Sequence, residues 1–369
     1  MNLRFKVSKT GAFMNQGLKL LFVSTPVGLL GSGACGGVEL TILNFAKVLR
    51  QRGHNVTIVA PEHSRLESFS LVEIPGTLQR SAQTLNRHDP VIMPDNAVLV
   101  NFWNYVQKVA DQYDLILNFS YDWLPLFLTP FFNGKLIHLI SIGSFTDVMD
   151  RVVQDVMQRC PGSLAFHTHS QAETFGFKAG YFCLKNGFDL SQYQFCATPQ
   201  NQLAWMGRIA PEKGLEDAVA ASLTTGITLK IMGIIQDELY WQQIIQNYSE
   251  APIQYLGFLS TNQLQEHLRQ CRGLLMTHRW MEAFGNVAIE ALACGVPVIS
   301  YRRGGPTEMI REGITGWLVE PDNMNELVRA IQKLDQIDRS VCRQQAETEY
   351  SLAALGDRIE QWFAQVLSL

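Results

Sequence analysis

The chain has no D-x-D triplet, no C-x-x-C pair and no apolar run approaching the roughly 18 residues of a membrane span. Each absence closes a route. With no paired aspartates two apart and no histidines clustered at ligand spacing, a divalent cation has no ready cage, so the sequence predicts no metal site. Cys35, Cys160, Cys183, Cys196, Cys271, Cys294 and Cys342 are odd in number and scattered. They predict small buried thiols in a reducing compartment, not a zinc ribbon or a disulfide framework. Residues 1–17 carry positive charge without an apolar stretch of signal length, and read as the disordered leader of a cytoplasmic protein with no integral membrane segment. A basic excess is missing too. With 30 Lys and Arg against 34 Asp and Glu, the net charge of −4 argues against nucleic acid as a partner and gives anionic lipid little to hold.

Core material, by contrast, is plentiful: 47% of the 369 residues are hydrophobic, enough for two domains of ordinary size. Residues 19–24 form a short apolar run that suits a buried parallel strand. Leu40, Leu43, Val48 and Leu49 then recur near helical spacing until Gly53, and residues 55–60 form the next strand. Residues 115–118 and 136–142 are further buried strands. After a polar stretch at 197–202, read as a linker, strands recur at 203–206, 228–232, 253–256, 274–277 and 297–300 with helices between them. This alternation predicts the α/β class twice over, as two Rossmann-like β/α/β domains at residues 18–196 and 197–351. Ligands of such sheets bind beyond the carboxyl ends of the strands, hence in the cleft between the domains.

Chemistry concentrates in a few stretches. Glu282 and Glu290 bracket the mouth of a helix whose first-turn N–H groups, at Ala283, Phe284, Gly285 and Asn286, lack intrahelical partners and favour a phosphate, with Val287 beside them as a further donor-binding residue. Glu282 beside that phosphate suits sugar hydroxyls, and Glu290, two turns in, suits a ribose. The plain alternative is an amphipathic helix with two solvated glutamates. GRIAPEKG follows a strand, so Arg208 and Lys213 project from its carboxyl end, where their charges suit a diphosphate leaving group; the alternative is an exposed loop with ordinary ion pairs. GSGACG at 31–36 spells G-x-G-x-x-G, but seven residues separate it from the strand core, which speaks against a nicotinamide fingerprint. RRGGPTE opens a short helix at Glu308, read as a capping or domain-contact residue. His167 and His169 are read as structural, and Asn186 to Asp189 spell NGFD.

Five stretches in this order, GSGACGGVE, NGFD, GRIAPEKG, EAFGNVAIEALACGVPVI and RRGGPTE, resemble the retaining GT-B glycosyltransferases of the family-four type, which carry an E-x7-E signature. The resemblance spans the chain from about Leu18 onward. It implies a retaining hexosyltransferase with two domains facing across a cleft, a UDP-sugar as donor, no further cofactor, and a last helix (352–369) crossing back onto the first domain. It implies that Arg208 and Lys213 stabilise the departing diphosphate, which itself takes the acceptor's proton, with Glu282 positioning the sugar as the third catalytic residue. Gly36 and Gly37 would let backbone approach the donor phosphate, and Glu290 would bind ribose. Many members place a histidine at the end of the fourth strand; here that position falls on Gly143, with Ser144 beside it as the substitute contact. Tyr121, Asp122 and Trp123 follow a buried strand near the acceptor position. Aromatic faces stack flat rings, and a carboxylate accepts paired hydrogen bonds from an amino-pyrimidine edge. The N-terminal half is also similar to the cyanobacterial glucosyltransferases that act on tetrahydrobiopterin, which implies UDP-glucose as donor and a reduced pterin as small-molecule acceptor. A lipid or polysaccharide acceptor is the alternative. In another class, a dehydrogenase or a non-catalytic nucleotide-sugar binder would keep the cleft without the Arg208/Lys213 pair.

Overall fold

The computed structural model describes residues 17–32, 37–66, 68–82 and 85–368. Its first unit runs β1 (Lys19–Val23), α1 (Gly37–Gln51), β2 (Asn55–Pro61), β3 (Ser70–Ile74), α2 (Val98–Val109), β4 (Leu115–Asn118), α3 (Trp123–Leu128), β5 (Leu136–Ile140), α4 (Asp147–Arg159), β6 (Leu164–Phe166), α5 (His169–Glu173) and β7 (Phe182–Cys183). These strands make one sheet in the order β3-β2-β1-β4-β5-β6-β7, parallel throughout. Leu20, Leu21, Phe22 and Val23 are all at most 1% exposed, so β1 is buried on both faces. That explains why it reads as a continuous apolar run. The edge strand β3 alternates weakly, and β6 and β7 are three and two residues long, too short to leave a pattern in sequence.

The second unit runs β8 (Gln202–Met206), α6 (Leu215–Thr225), β9 (Thr228–Met232), α7 (Glu238–Asn247), β10 (Ile253–Tyr255), α8 (Thr261–Leu268), β11 (Gly273–Met276), α9 (Asn286–Ala293), β12 (Val298–Tyr301), α10 (Pro306–Met309), β13 (Gly316–Val319), α11 (Met324–Gln332) and α12 (Arg339–Glu349). Its sheet has the order β10-β9-β8-β11-β12-β13, again all parallel. The fold is therefore a pair of parallel-sheet α/β domains.

The chain leaves the first domain earlier than the polar stretch at 197–202 suggests. Phe188 and Tyr193 already belong to the apolar core of the second domain, alongside Ile289, Leu292 and Tyr350. The passage lies at Asn186–Gly187, and the returning chain runs beside it: the Phe188 N–H donates to the Tyr350 carbonyl at 2.7 Å. A side chain at Gly187 would put its Cβ 2.5 Å from Leu355 Cβ and 2.9 Å from the Ser351 carbonyl oxygen, so only glycine allows this approach. Arg358 staples both passages, donating to the carbonyls of Leu184, Asn186 and Glu349.

The final helix, α13 (Leu352–Leu367), packs on α1 and puts Leu355, Ile359, Trp362 and Phe363 into the first domain's core. Arg52, just past α1, pairs with Asp357 at 2.7 Å and Glu360 at 2.6 Å. The Trp362 indole N–H donates to the Gly162 carbonyl at 2.8 Å. Burial of the ring outweighs the exposed ion pairs, which contribute roughly 0–1 kcal/mol each. Trp362→Ala is expected to destabilise the first domain by about 3–5 kcal/mol in urea unfolding. A loss below about 1 kcal/mol would mean that α13 is not part of that core.

Candidate active site

A cleft of about 2320 Å³ lies between the carboxyl ends of the two sheets. From the first domain it is lined by segments following β1, β4, β5 and β6, and from the second by segments following β8, β9 and β11. Strand-end loops converge there because every strand of both sheets is parallel.

The loop after β8 makes a single 3₁₀ turn, Pro211–Lys213, closed by Gly214 at φ +61°. A Cβ on Gly214 would lie 2.1 Å from the Thr277 carbonyl oxygen, so the loop can press against the end of β11 only with glycine there. This contact brings Lys213 Nζ to 2.6 Å from Glu282 Oε2 and 4.5 Å from the centroid of the Trp280 ring. Trp280 Nε1 donates to the same carboxylate oxygen at 3.1 Å. Burial opposes the charge on Glu282, yet Lys213, His278 and Trp280 together hold its carboxyl below the usual range. Arg208 projects from the same loop and donates to Gln236 and to Glu212. The sequence-derived residues Arg208, Lys213 and Glu282 are therefore brought to one wall of the cleft.

Helix α9 begins at Asn286, later than the first-turn reading of Ala283 to Asn286 required, and Glu290 lies one turn inside it, not two. Ala283 and Phe284 form the bend ahead of the helix. Phe284 is 4% exposed, and the Ala283 carbonyl accepts from Thr168 Oγ1 of the first domain at 2.7 Å. Gly285 is the N-cap at φ +95°, and a Cβ there would crowd Met276 and Pro306. Among the described residues, no hydrogen bond is donated by the backbone N–H groups of Asn286 and Val287. Gly37, at the start of α1, faces this end across the cleft, where a side chain's Cβ would lie 2.9 Å from Asn286 Nδ2. Gly36, the other glycine assigned to the donor phosphate, lies outside the described residues. Asn186 of NGFD donates to Asn286 Oδ1 at 2.7 Å and ties the domain passage to the helix mouth. Glu290 accepts a 3.0 Å hydrogen bond from the Tyr193 hydroxyl. Burial pushes its carboxyl up to about 7, and that bond opposes the rise.

On the first-domain wall, Tyr121, Asp122, Trp123 and Ser144 all line the cleft. Two of them have structural work that the sequence reading did not anticipate. Asp122 is the N-cap of α3, accepting from the Leu124 N–H at 3.3 Å through one oxygen and from Gln79 Nε2 at 3.2 Å through the other. A paired grip on an amino-pyrimidine edge would have to displace these bonds. Ser144 Oγ accepts from Arg87 at 2.6 Å and donates to Asp150 at 2.8 Å, so it belongs to the network anchoring the segment around Arg87 to α4. Trp123 stacks on Phe127 with ring centroids 4.6 Å apart and planes 14° apart. His138 is interior to β5, bonded to Asn118 and Thr129.

The glycosyl transferases group 1 family model matches residues 192–349, and the Glycosyltransferase Family 4 model matches residues 35–138. The two parallel-sheet α/β domains have the GT-B fold of solved glycosyltransferase structures. Solved structures with this fold include sucrose-phosphate synthase of Thermosynechococcus elongatus (TM-score 0.77, 18% identity, 95% of this chain and 99% of that one). Anabaena HepE, solved in complex with UDP, superposes with a TM-score of 0.75 at 19% identity over 94% of this chain and 100% of that one. Among curated proteins, an uncharacterized glycosyltransferase of Methanocaldococcus jannaschii is 32% identical over 134 residues, 35% of this chain and 37% of that protein. Glycogen synthase of Mycobacterium tuberculosis is 29% identical over 161 residues, 41% of this chain and 39% of that protein. The chain thus spans between a third and two-fifths of the length of these curated relatives.

Sequence reasoning missed His278 and Trp280, which line the cleft, and Tyr193, which reaches Glu290 from the second domain's core. Trp280 stands two residues before Glu282, a spacing that a strand-end loop makes meaningful only once folded. His278 is 3% exposed and bonds the Arg303 carbonyl through Nε2 at 2.9 Å; burial pushes its imidazole below the usual value. Glu308 bridges the domains, accepting from the N–H groups of His169 at 3.0 Å and Ser170 at 2.6 Å at the start of α5. His169, Cys183 and Glu308 form the one cluster with metal-ligand spacing among the described residues, outside the cleft lining, and its carboxylate is already taken by α5. Among the described residues no helix is long and apolar enough to cross a membrane.

The Glu290 environment has a testable consequence for stability. Its folded value, about 7, lies above the ordinary 4.5, so folding favours the protonated form. That contribution is fully present below pH 4.5 and is lost as pH rises through 7. Glu290→Gln is expected to gain on wild type by on the order of 2 kcal/mol between pH 5 and pH 8 in urea unfolding. Parallel stability curves for the two proteins would show that burial does not penalise this carboxylate.

Proposed function

We propose that the protein is a retaining glucosyltransferase that moves glucose from UDP-glucose to a small acceptor, without a metal cofactor. The observation that carries this reading is the half-buried Lys213–Glu282 pair set beside the open N-terminus of α9. A cation, a sugar-positioning carboxylate and two backbone donors then face one point, where a sugar–diphosphate linkage would lie. Anabaena HepE, solved in complex with UDP and with UDP-glucose, supports the choice of donor. In this reading the acceptor oxygen bonds to the anomeric carbon while its bond to the phosphate oxygen breaks. The acceptor's proton passes to the leaving diphosphate, and UDP departs. Arg208 and Lys213 stabilise the charge that grows on the diphosphate; Glu282 orders the sugar hydroxyls; Glu290 holds the ribose; and Asn286 and Val287 donate to phosphate. Closure of the two domains excludes water, so transfer outruns hydrolysis. The six described cysteines are free, in keeping with a reducing, cytoplasmic setting.

Arg208→Ala and Lys213→Ala are each expected to lower kcat about 100-fold, near 3 kcal/mol, in a UDP-release assay. Turnover close to wild type in both variants would remove them from the phosphate site.

For the acceptor, the reading is a flat heterocycle of the reduced-pterin class, such as tetrahydrobiopterin. Tyr121 and Trp123 supply its motivation, as ring faces at the cleft wall beside a helix-capping carboxylate. A specific observation favours a second reading. Leu78, Val91 and Ile92 on one rim of the cleft and Ile234, Leu239 and Phe258 on the other are exposed, Ile92 and Leu239 by 72% each. Apolar side chains left in water on both rims suit an acceptor with an aliphatic portion. Tetrahydrobiopterin, a long-chain alcohol and a disaccharide compared side by side with UDP-glucose should show the pterin used best. Preference for the aliphatic alcohol by tenfold or more would transfer the assignment to the second reading and leave the donor chemistry intact.

A further inference from the structure

Tyr193 is not among the residues that a donor site of this kind requires, yet it holds the only hydrogen bond that a side chain of the described structure makes to the Glu290 carboxylate, 3.0 Å from Oη to Oε1. The tyrosine lies 5% exposed in the second domain's core, edge-on to Phe188 with ring centroids 6.4 Å apart. Its backbone is fixed as well. The Tyr193 N–H donates to the Leu190 carbonyl at 3.2 Å, and Arg343 of α12 reaches the Tyr193 carbonyl at 2.9 Å and the Ala293 carbonyl at the end of α9. The phenol is thus anchored to the same helix that carries Glu290. A buried hydroxyl held so firmly can donate in only one direction.

We infer that Tyr193 is the positioning residue for the donor's ribose: its hydroxyl, bonded to Oε1, fixes the orientation of the Glu290 carboxylate so that its remaining acceptor sites face the vicinal ribose hydroxyls. This rests on the donor reading above. A carboxylate free to rotate, or carrying a proton, would offer one acceptor fewer, and the ribose hydroxyls need two. The phenol O–H occupies one lone pair of Oε1 and leaves the rest of the carboxylate for the ligand.

Other groups around Glu290 do not take this role. Cys294, just past the end of α9, is held protonated by burial, and the carboxylate of Asp189, preceding Tyr193 on the passage between domains, is engaged by Lys47, Ser191 and Gln192. Arg343, Arg339 and Arg269 act on Cys294, and the Glu290 shift has only two causes, burial and the Tyr193 bond. The phenol of Tyr193 is pushed far above its ordinary value, first by burial and then by Glu290, so it remains a donor at every working pH.

The test is Tyr193→Phe, which keeps the ring in its core position, measured against wild type with UDP-glucose from pH 6 to pH 9, together with calorimetric binding of UDP. At pH 7 the KM for UDP-glucose and the Kd for UDP are expected to rise roughly tenfold, as for loss of a hydrogen bond to a charged group, while kcat changes far less. The inflection of KM with pH should move upward, so that the deficit shrinks to about threefold or less at pH 9, where Glu290 is ionised without help. In a Glu290→Gln background the same substitution should change KM less than twofold, since the group it acts through is gone. An unchanged KM, or a rise equal at all pH values and undiminished in the Glu290→Gln background, overturns the inference and leaves Tyr193 a packing residue. If wild type binds no UDP while retaining its fold by circular dichroism, the donor reading itself falls and this inference with it.

Discussion

The cleft depends on how the chain passes between its two domains. A parallel sheet gathers its strand-end loops on one edge, and two such edges make a site only if they are held face to face. The 2.7 Å bond from Phe188 to Tyr350 lays the outgoing and returning passages side by side. Gly187 permits their contact, and Arg358, its charge disfavoured by burial, satisfies three carbonyls that the crossing would otherwise strand. An unpaired buried carbonyl costs on the order of 1–3 kcal/mol, so one guanidinium that serves three is the economical solution. From the same passage come Asn186, bonded to the mouth of α9, and Tyr193, bonded to Glu290. The connection between domains and the floor of the site are one structure.

The electrostatics of the cleft are arranged before any ligand arrives. An unpaired carboxylate at Glu282, half-buried at the cleft wall, would be costly; here it meets Lys213 Nζ at 2.6 Å and the indole of Trp280 donates to the same oxygen. Such a pair adds little net stability. In the proposed donor reading its value lies in a cation fixed where negative charge would develop, with no reorganisation needed at the moment of reaction. Glu290 represents the opposite case. It has a single donor, and burial wins over that donor, which leaves its carboxyl near neutrality.

On the facing wall the balance differs. Asp122 and Ser144 spend their polar atoms on holding the loops together, through Leu124 and Gln79 in one case and Arg87 and Asp150 in the other. What this wall presents to the cleft is mainly aromatic and aliphatic surface, backed by a buried polar network. Recognition there would rest on shape and ring faces, with the charged chemistry left to the second domain.

Much of this was legible in the sequence. Apolar runs of four or five residues between glycine or polar breaks give β1, β4, β5, β8, β9, β11 and β12 within a residue or two, because strands buried on both faces can tolerate nothing else. The strand-helix alternation gives both parallel sheets. The motif order gives Arg208, Lys213, Glu282 and Glu290 as neighbours of a cleft. Other features were set only by tertiary structure. The start of α9 moved to Asn286 because Gly285 must turn left-handed between Met276 and Pro306, a constraint from packing and not from propensity. Asp122 and Ser144 became structural because partners 43 and 57 residues away reached them first. Tyr193 met Glu290 across 97 residues, and no local pattern announces such a pair. Sequence determines which segments are buried, since burial follows from the apolar content of short runs; which polar atoms remain for a ligand depends on long-range partners, and only the folded chain decides that.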